Sequence, residues 1–370
     1  MKRPAPQTFG PASPRQPTLV VGAGPVGLTA ALELARRGRS VRLIEAKPER
    51  SDLSKAIGIN PRTLELLEPS GVTERLLDRG RRIPGVRFRS DTGDLFALDF
   101  GEIDHRYNFM LGLPQWETER ILEERLAELG VHVERGLALQ RIDLLPEGVR
   151  VLLAGDTATE SLVVPQVIGA DGAHSTARRE LHVGFPGDRT GEDWSLADVR
   201  LDMAPADSVV VHLGQEGLLF LLRISDDLYR VASNKPGVLD RLPADSKVTD
   251  VLWTSGFAVS HRLAETFQVG RVFLAGDAAH LHSPLGARGM NMGIEDAAEL
   301  VRLMHSGQTY LYSPGRHAVA KDTIRRIRRQ TNAATHSGWP ARQLRGRIVP
   351  QLLRSARLRQ RFTQQLLGLQ

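Results

Sequence analysis

A short apolar run, Thr18-Leu-Val-Val21, passes straight into Gly22-Ala-Gly-Pro-Val-Gly27, and no other stretch of this chain limits its fold so tightly. Leu28, Ala31, Leu32 and Ala35 then recur at helical spacing. Arg36-Arg37 suits a helix C-terminus, and Gly38 suits a stop. Ser40 to Ile44 reads as the next strand, ending at Glu45. Strand, glycine turn, helix, strand and terminal acid form the context in which a G-x-G-x-x-G loop binds a dinucleotide. Gly22 permits the sharp turn, Gly24 lets backbone approach a pyrophosphate, and Gly27 lets helix and strand pack closely. Pro25 and Val26 complete the loop, where a helix N-terminus offers N–H groups to phosphates. Glu45, followed by Ala46, is placed to accept hydrogen bonds from an adenosine ribose. Its charge repels a 2′-phosphate, so the site suits FAD or NAD rather than NADP.

A second segment, near the three-quarter mark, narrows that choice. Val272 to Ala275 reads as a buried strand ending in Gly276-Asp277, followed by a Pro-Gly loop and a helix beginning near Gly289. A carboxylate at a strand end can hold polyol hydroxyls, and a glycine-rich helix start offers free N–H groups to an electron-rich ring edge. The two segments read as the two ends of an FAD cradle, with the ADP half at Gly22 and the ribityl-isoalloxazine half at Asp277.

Between them the pattern changes. Asn60-Pro61 starts a helix, with Asn as cap, and Thr118 to Leu129 is another. Val131 to Glu134, Leu137 to Asp143, Val149 to Leu153 and Val163 to Gly169 read as strands, the last ending in Ala170-Asp171-Gly172. Gly85 to Phe100 and Trp194 to Val259 are β-rich. The expected fold is α/β, α+β overall. A Rossmann-like FAD-binding domain (18–84, 110–185 and 265–300) carries an inserted β-sheet substrate domain (85–109 and 186–264), and helices follow over 301–370. Residues 1–17, rich in Pro and Gln, read as a flexible tail without the apolar stretch of a signal peptide.

Composition excludes several functions. At 41% apolar and 25% charged the chain is ordinary globular material. It has no cysteine, so thiolate metal sites, disulfides and Cys nucleophiles are out, and a reducing cytoplasm is expected. No run approaches the roughly 18 apolar residues of a membrane span. Aromatics are only 5% and no nucleic-acid motif is visible, so nucleic acid is not an expected partner. From Arg316 onward thirteen Lys or Arg face one acid, giving this stretch +12 and the rest of the chain −6. Leu352, Leu353, Ala356, Phe362 and Leu366 recur there at helical spacing, which predicts surface helices packed through Leu352 and Leu366 rather than a membrane tether.

Gly22–Gly27, Asp171-Gly172 within Gly169-Ala-Asp-Gly-Ala-His-Ser175, and Gly276-Asp277 resemble, in order and spacing, the three signatures of the class A FAD-dependent aromatic hydroxylases. This family includes proteins similar to para-hydroxybenzoate hydroxylase, phenol hydroxylase and the polyketide-tailoring monooxygenases. The resemblance runs from Val20 to about Ala298. It implies an NAD(P)H-dependent monooxygenase in which dioxygen adds to reduced FAD and the flavin C4a-hydroperoxide hydroxylates an aromatic or polyketide-type small molecule. NADPH or NADH is then a transient cosubstrate, no metal is needed, and the protein acts as a monomer or homodimer. The resemblance also implies that Asp277 binds the ribityl chain and that Pro284 lies against the reactive side of the flavin. Gly289, Met290 and Asn291 present backbone to the pyrimidine edge, and Gln115 and Arg120 contact ribityl and pyrophosphate. Asp171 and Gly172 belong to the motif shared by FAD and pyridine nucleotide, and Arg178 contacts a phosphate or nicotinamide or faces solvent.

Two positions depart from the family pattern. Lys55 stands where an arginine is usual, a point charge in place of a fork. Leu285-Gly-Ala-Arg288-Gly replaces the commoner Gly-Gly-Gln-Gly, and Arg288 could tune the flavin, contact substrate or face solvent. His280 and His282 invite a catalytic-base reading, but histidines this close to a strand end are often satisfied by backbone, while His212, Phe220 and Arg223 lie on the inserted sheet, where any that point inward could touch substrate. A halogenase would show Trp-x-Trp-x-Ile-Pro, which is absent. A reductase or Baeyer–Villiger-type oxygenase on the same scaffold is the alternative. The length leaves no room for the thioredoxin-like C-terminal domain of phenol hydroxylase-like relatives.

Overall fold

The computed structural model describes residues 16–51, 56–156, 158–203, 207–214, 217–243, 246–284, 286–335 and 348–369. Lys55, Leu285 and most of the N-terminal tail lie outside the described residues.

The chain opens with β1 (Thr18–Val21), α1 (Pro25–Ala35) and β2 (Val41–Glu45). Then come β3 (Gly58–Ile59), α2 (Pro61–Leu67), α3 (Val72–Arg79), β4 (Arg81–Ile83), β5 (Gly85–Ser90) and β6 (Gly93–Asp99). β7 (Met110–Gly112), α4 (Gln115–Glu128), β8 (Val133–Arg135), β9 (Ala138–Leu144) and β10 (Val149–Ala154) follow. β11 (Thr159–Val164), β12 (Val167–Gly169) and α5 (Thr176–Glu180) lead into the long strand β13 (Gly187–Asp202). The rest is β14 (Val209–Gly214), β15 (Gly217–Arg223), β16 (Leu228–Ser233), β17 (Lys247–Leu263), β18 (Gln268–Val269), β19 (Val272–Leu274) and β20 (His280–Leu281). Among the described residues the chain closes with α6 (Arg288–His305), α7 (Tyr312–Thr335), α8 (Val349–Leu352) and α9 (Ala356–Leu367).

Two large sheets organise these elements. The first has the order β18-β19-β12-β1-β2-β8 and is parallel except at the β18–β19 hairpin. It is buried through Leu19, Val20, Leu43, Ile168, Phe273 and Leu274, as expected when helices cover both faces. The three segments carrying the glycine loop, Asp171 and Asp277 end side by side at the carboxyl ends of β1, β12 and β19. Ligands of open α/β sheets sit at such strand ends.

The second sheet has the order β20-β17-β13-β16-β15-β14-β5-β6 and is antiparallel except between β14 and β5. One face, with Trp194, Phe220, Val211 and Val259, packs into a core shared with Ala287, Phe362, Leu366 and Leu367. The other face carries Ala197, Val199, Leu219, Leu221 and Val231. β20 joins this sheet from within the segment read as nucleotide-binding, so the two halves are stitched together next to Asp277.

Three local expectations change. Pro165 lacks a backbone N–H, and the single strand read over Val163–Gly169 is two, β11 and β12, on different sheets. Asn60 holds the N-cap position of α2, but its side chain makes no cap bond. Leu352 is 53% exposed, and Leu353 packs inward in its place, together with Leu366 and Leu367.

Candidate functional site

Gly22 has φ +100°, and a Cβ there would lie 2.5 Å from the carbonyl oxygen of Ala170. The glycine is required because the Asp171 segment backs directly onto the loop. A Cβ at Gly27 would fall 1.8 Å from the Gly22 carbonyl oxygen, whereas one at Gly24 would meet nothing within 4 Å. The loop is therefore packed tight behind Gly22 and Gly27 and open in front of Gly24, where a pyrophosphate would lie. α1 starts on Gly24 with Pro25 in its first turn and no side-chain cap, which leaves its N-terminal amides to the cradle. Val26 wedges against Gly276 and Gly293, tying this loop to the third motif.

Glu45 stands at the tip of β2. Its Oε2 accepts from the Ala23 amide at 2.8 Å and Oε1 from the Lys47 amide at 3.0 Å, so the acid is held against the loop. Ala46 directly follows the strand. Gln115 and Arg120 lie on the first turns of α4. The Gln115 amide nitrogen donates to Glu119 at 2.8 Å, and Arg120 pairs with Glu117 and Glu124 on its own helix.

The second motif is occupied locally. Asp171 accepts from the Ser175 hydroxyl at 2.5 Å and from the Ala177 amide at 3.0 Å, which anchors the start of α5. Gly172 beside it has φ +77°. Arg178 does not face solvent. It is 7% exposed, donates to the Ala278 and Ala173 carbonyls at 2.8 and 2.9 Å, and stacks 3.9 Å above the Phe185 ring. It fastens the second motif to the third, and burial lowers its pKa from the ordinary arginine value.

Gly276-Asp277 forms a tight turn at the end of β19, with Asp277 exposed on it. Beneath lies Asp296, fully buried, whose carboxylate meets the Gly276 amide at 3.1 Å, His280 Nε2 at 2.6 Å and Arg316 Nε at 2.6 Å. Burial alone would raise the Asp296 pKa, but Arg316 and His280 reverse that and hold it below the usual carboxylate value. His280 is thus a structural partner of this turn.

Pro284 is exposed at the loop that follows. Ala287 takes a left-handed conformation at φ +50°, unusual for a residue with a Cβ, to begin α6. Gly289 and Met290 lie in the first turn of α6. The Asn291 side chain is fully used: Oδ1 accepts from the Asn60 amide and the Thr63 hydroxyl, and Nδ2 donates to the Gly58 and Ala287 carbonyls. Arg288 turns back toward Glu295 (3.4 Å) and the end of α9. A Cβ on Gly368 would lie 1.7 Å from its Nη1. Its guanidinium joins α6 to the C-terminal helix.

The inner face of the second sheet meets this loop. Trp194 stacks on Phe220 and lies tilted against Phe257, each at 6.3 Å, and register places Phe220 on the inner face. His212 and Arg223 fall on the opposite face, where His212 approaches Asp91 and Arg223 approaches Asp226. Sequence reading missed the buried pair Arg230–Asp198, two contacts of 2.7 Å with a further one from Arg230 to the Ala56 carbonyl. The signal was present, because Asp198 shares the alternation of Trp194 and Leu196.

His282 follows β20. Its Nδ1 lies 2.9 Å from the Ser283 carbonyl, and burial lowers its pKa to about 3 despite that bond. A groove of about 540 Å³ lies elsewhere, between α1, α2, α6 and α7. Its Arg36, Arg62, Arg302 and Arg316 are each paired with a carboxylate. Among the described residues, no group of three or more His, Asp or Glu could hold a metal ion, and no helix is long and apolar enough to cross a membrane.

A glycine loop open at Gly24, an acid at the tip of β2, a turn carrying Asp277 and an uncapped helix start fit an elongated dinucleotide, and define a flavoprotein-type site. The chain matches the FAD binding domain family over residues 15–226 and 232–326, and it belongs to that family of flavoprotein aromatic hydroxylases. It is 33% identical over 361 residues to an uncharacterised aromatic compound monooxygenase, YhjG, of Bacillus subtilis (strain 168), covering 90% of this chain and 72% of that one. It is 38% identical over 304 residues to 6-methylpretetramide 4-monooxygenase of Streptomyces rimosus, covering 76% of this chain but only 54% of that protein. The structure of OxyS anhydrotetracycline hydroxylase from Streptomyces rimosus superposes with a TM-score of 0.80 at 28% identity, covering 96% of this chain and 76% of that one.

Proposed function

We propose that this protein is an FAD-dependent monooxygenase that uses NADPH or NADH and dioxygen to hydroxylate an aromatic or polyketide-type small molecule. The observation that carries the reading is the packing of Val26 against Gly276 and Gly293, which ties the loop open at Gly24 to the Asp277 turn and to α6 with its uncapped start. Its monooxygenase relatives support the same chemistry.

Bound FAD would supply the redox chemistry, taking reducing equivalents from the nicotinamide and activating dioxygen. The residues of the chain hold and orient. Amides at the start of α1 receive the pyrophosphate, and Glu45 the adenosine ribose. Asp277 takes ribityl hydroxyls, with Gln115 and Arg120 along the same edge. Pro284 closes the reactive side, and backbone at Gly289, Met290 and Asn291 meets the pyrimidine edge, where a helix start favours negative charge. Gly172, in the segment whose Ala170 and Asp171 back onto Gly22, and Gly276, beside Asp277, keep the cradle in register. Trp194, Phe220 and Phe257 exclude water from the aromatic substrate. The reading extends to a cytoplasmic location, which the lack of cysteine supports, and to a monomer or homodimer.

The test is direct. Purified protein should carry a flavin spectrum, and NAD(P)H oxidation with oxygen uptake should accelerate with a suitable phenolic compound, yielding hydroxylated product. A colourless protein that FAD cannot restore defeats the reading.

A further inference from the structure

α6, α7 and α9 meet around a cavity of about 30 Å³, whose walls include Arg288, Thr323, Arg326, Ile327, Gln330 and Leu366. That volume has room for one monatomic ion or for a water or two. Two side chains on its walls carry a donor without a partner. Thr323 is 3% exposed and its Oγ1 is unbonded, and the buried Nη1 of Arg288 is unbonded as well. A third stands alongside. A Cβ on Gly368 would lie 1.7 Å from Arg288 Nη1 and 3.4 Å from Asn60 Nδ2, which is also buried and unbonded. Each such group is unfavourable until an acceptor reaches it. Other buried polar atoms of this chain lack partners too, His280 Nδ1 among them. Here the unbonded donors come with a cavity and a charge.

The charge decides the acceptor. Arg288 and Arg326 line the cavity, and among the described residues no carboxylate does. Arg326 pairs with Asp322 along α7. Arg288 meets Glu295 only at 3.4 Å, through Nη2, and Arg316 draws on the same carboxylate. Burial lowers the Arg288 pKa against the pull of Glu295, and the nearby Arg326 and Arg316 lower it further. A guanidinium nevertheless stays charged, so this one is poorly neutralised where it lies. Water would offer two lone pairs and no charge. An anion accepts from several donors at once and answers the guanidinium.

We propose that this cavity is a binding site for one small monovalent inorganic anion of chloride's kind, held by Arg288 Nη1 and Thr323 Oγ1 with Asn60 Nδ2 beside them. The ion braces α9 against the start of α6. The same helix end meets the loop before α6, since a Cβ on Gly286 would lie 3.8 Å from Leu366 Cδ1. The assignment uses no part of the monooxygenase reading.

The experiment melts the full chain, with FAD in excess, in sodium gluconate progressively replaced by sodium chloride at constant ionic strength. Gluconate is too large for the cavity. The melting temperature should rise by about 2 °C for each tenfold increase in chloride once the site begins to fill. Thr323→Val removes the hydroxyl and keeps the shape. It should melt no lower in gluconate alone, because an unpartnered buried group is gone, and its rise should begin at about tenfold higher chloride. Arg288→Met keeps the apolar stem and should show no rise. Chlorine NMR supplies a second measurement should a variant fail to fold. The unaltered protein should broaden the chloride line, and bromide should narrow it again by displacement. A rise that persists in Arg288→Met, or that begins at the parent's chloride concentration in Thr323→Val, overturns the site. So does a chloride line that the unaltered protein leaves sharp, and the cavity then holds water.

Discussion

His280 Nε2 lies 2.6 Å from Asp296 Oδ2 with both side chains buried, and this pair, more than Asp277 itself, holds the turn that carries Asp277. Asp296 also takes the Gly276 amide and Arg316, so one carboxylate joins β19, β20, α6 and α7.

Removing that carboxylate should be severe. Asp296→Asn removes the carboxylate that bonds Arg316 and His280 and leaves Arg316 only the longer pair with Glu295, at about 3–5 kcal/mol, a loss measurable by urea unfolding. The native Asp296 pKa is depressed, so its stabilisation is present above the unfolded value, near 3.9, and is lost as pH falls from there through the folded value. The acid limb of stability should flatten in the Asn variant. An unchanged acid limb places the linkage elsewhere.

Gly24 and Gly27 should separate folding from cofactor binding. Gly27→Ala places a Cβ 1.8 Å from the Gly22 carbonyl oxygen, so the variant should express poorly or melt well below the parent. Gly24→Val meets open space at its Cβ and should fold, yet purify without flavin because the pyrophosphate can no longer approach. Full flavin occupancy in Gly24→Val contradicts the cradle.

Asp277→Ala should leave melting nearly unchanged, because the residue is exposed, and should weaken FAD retention. A charge-assisted hydrogen bond is worth about 1.5–3 kcal/mol, so FAD affinity should fall roughly ten- to hundredfold in an apoprotein titration.

Gly368→Ala should unseat the C-terminal helix. The added Cβ would lie 1.7 Å from Arg288 Nη1, and φ is +75° there. Trypsin should then cut at Arg357 and Arg361 at lower enzyme ratios than in the parent. If α9 is only a solvated appendage, the two proteins will be cut alike. Flotation with anionic vesicles tests the basic stretch separately: salt-sensitive binding would favour a membrane-surface role, whereas the Arg328–Asp188 and Arg359–Glu102 pairs support packing onto the body.

The sequence by itself determined the nucleotide half. The glycine loop, Glu45, Asp171-Gly172 and Gly276-Asp277 are local signatures whose spacing and flanking periodicity carry the strand-turn-helix geometry with them. Only the tertiary structure decided where long-range partners fall. Arg178 looked like a surface or phosphate residue and is buried between two motifs, because nothing local announces the Ala278 carbonyl 100 residues away. Arg288 turned to the C-terminal helix, Leu352 yielded its inward place to Leu353, and His212 and Arg223 fell on the outer face while Phe220 fell inside. Strand facing alternates every residue, so a one-residue uncertainty in register inverts the assignment, and register is set by neighbouring strands distant in sequence. The unpaired Oγ1 of Thr323 belongs to the same class of fact, since whether a polar atom is buried and without a partner is a property of the packed chain alone.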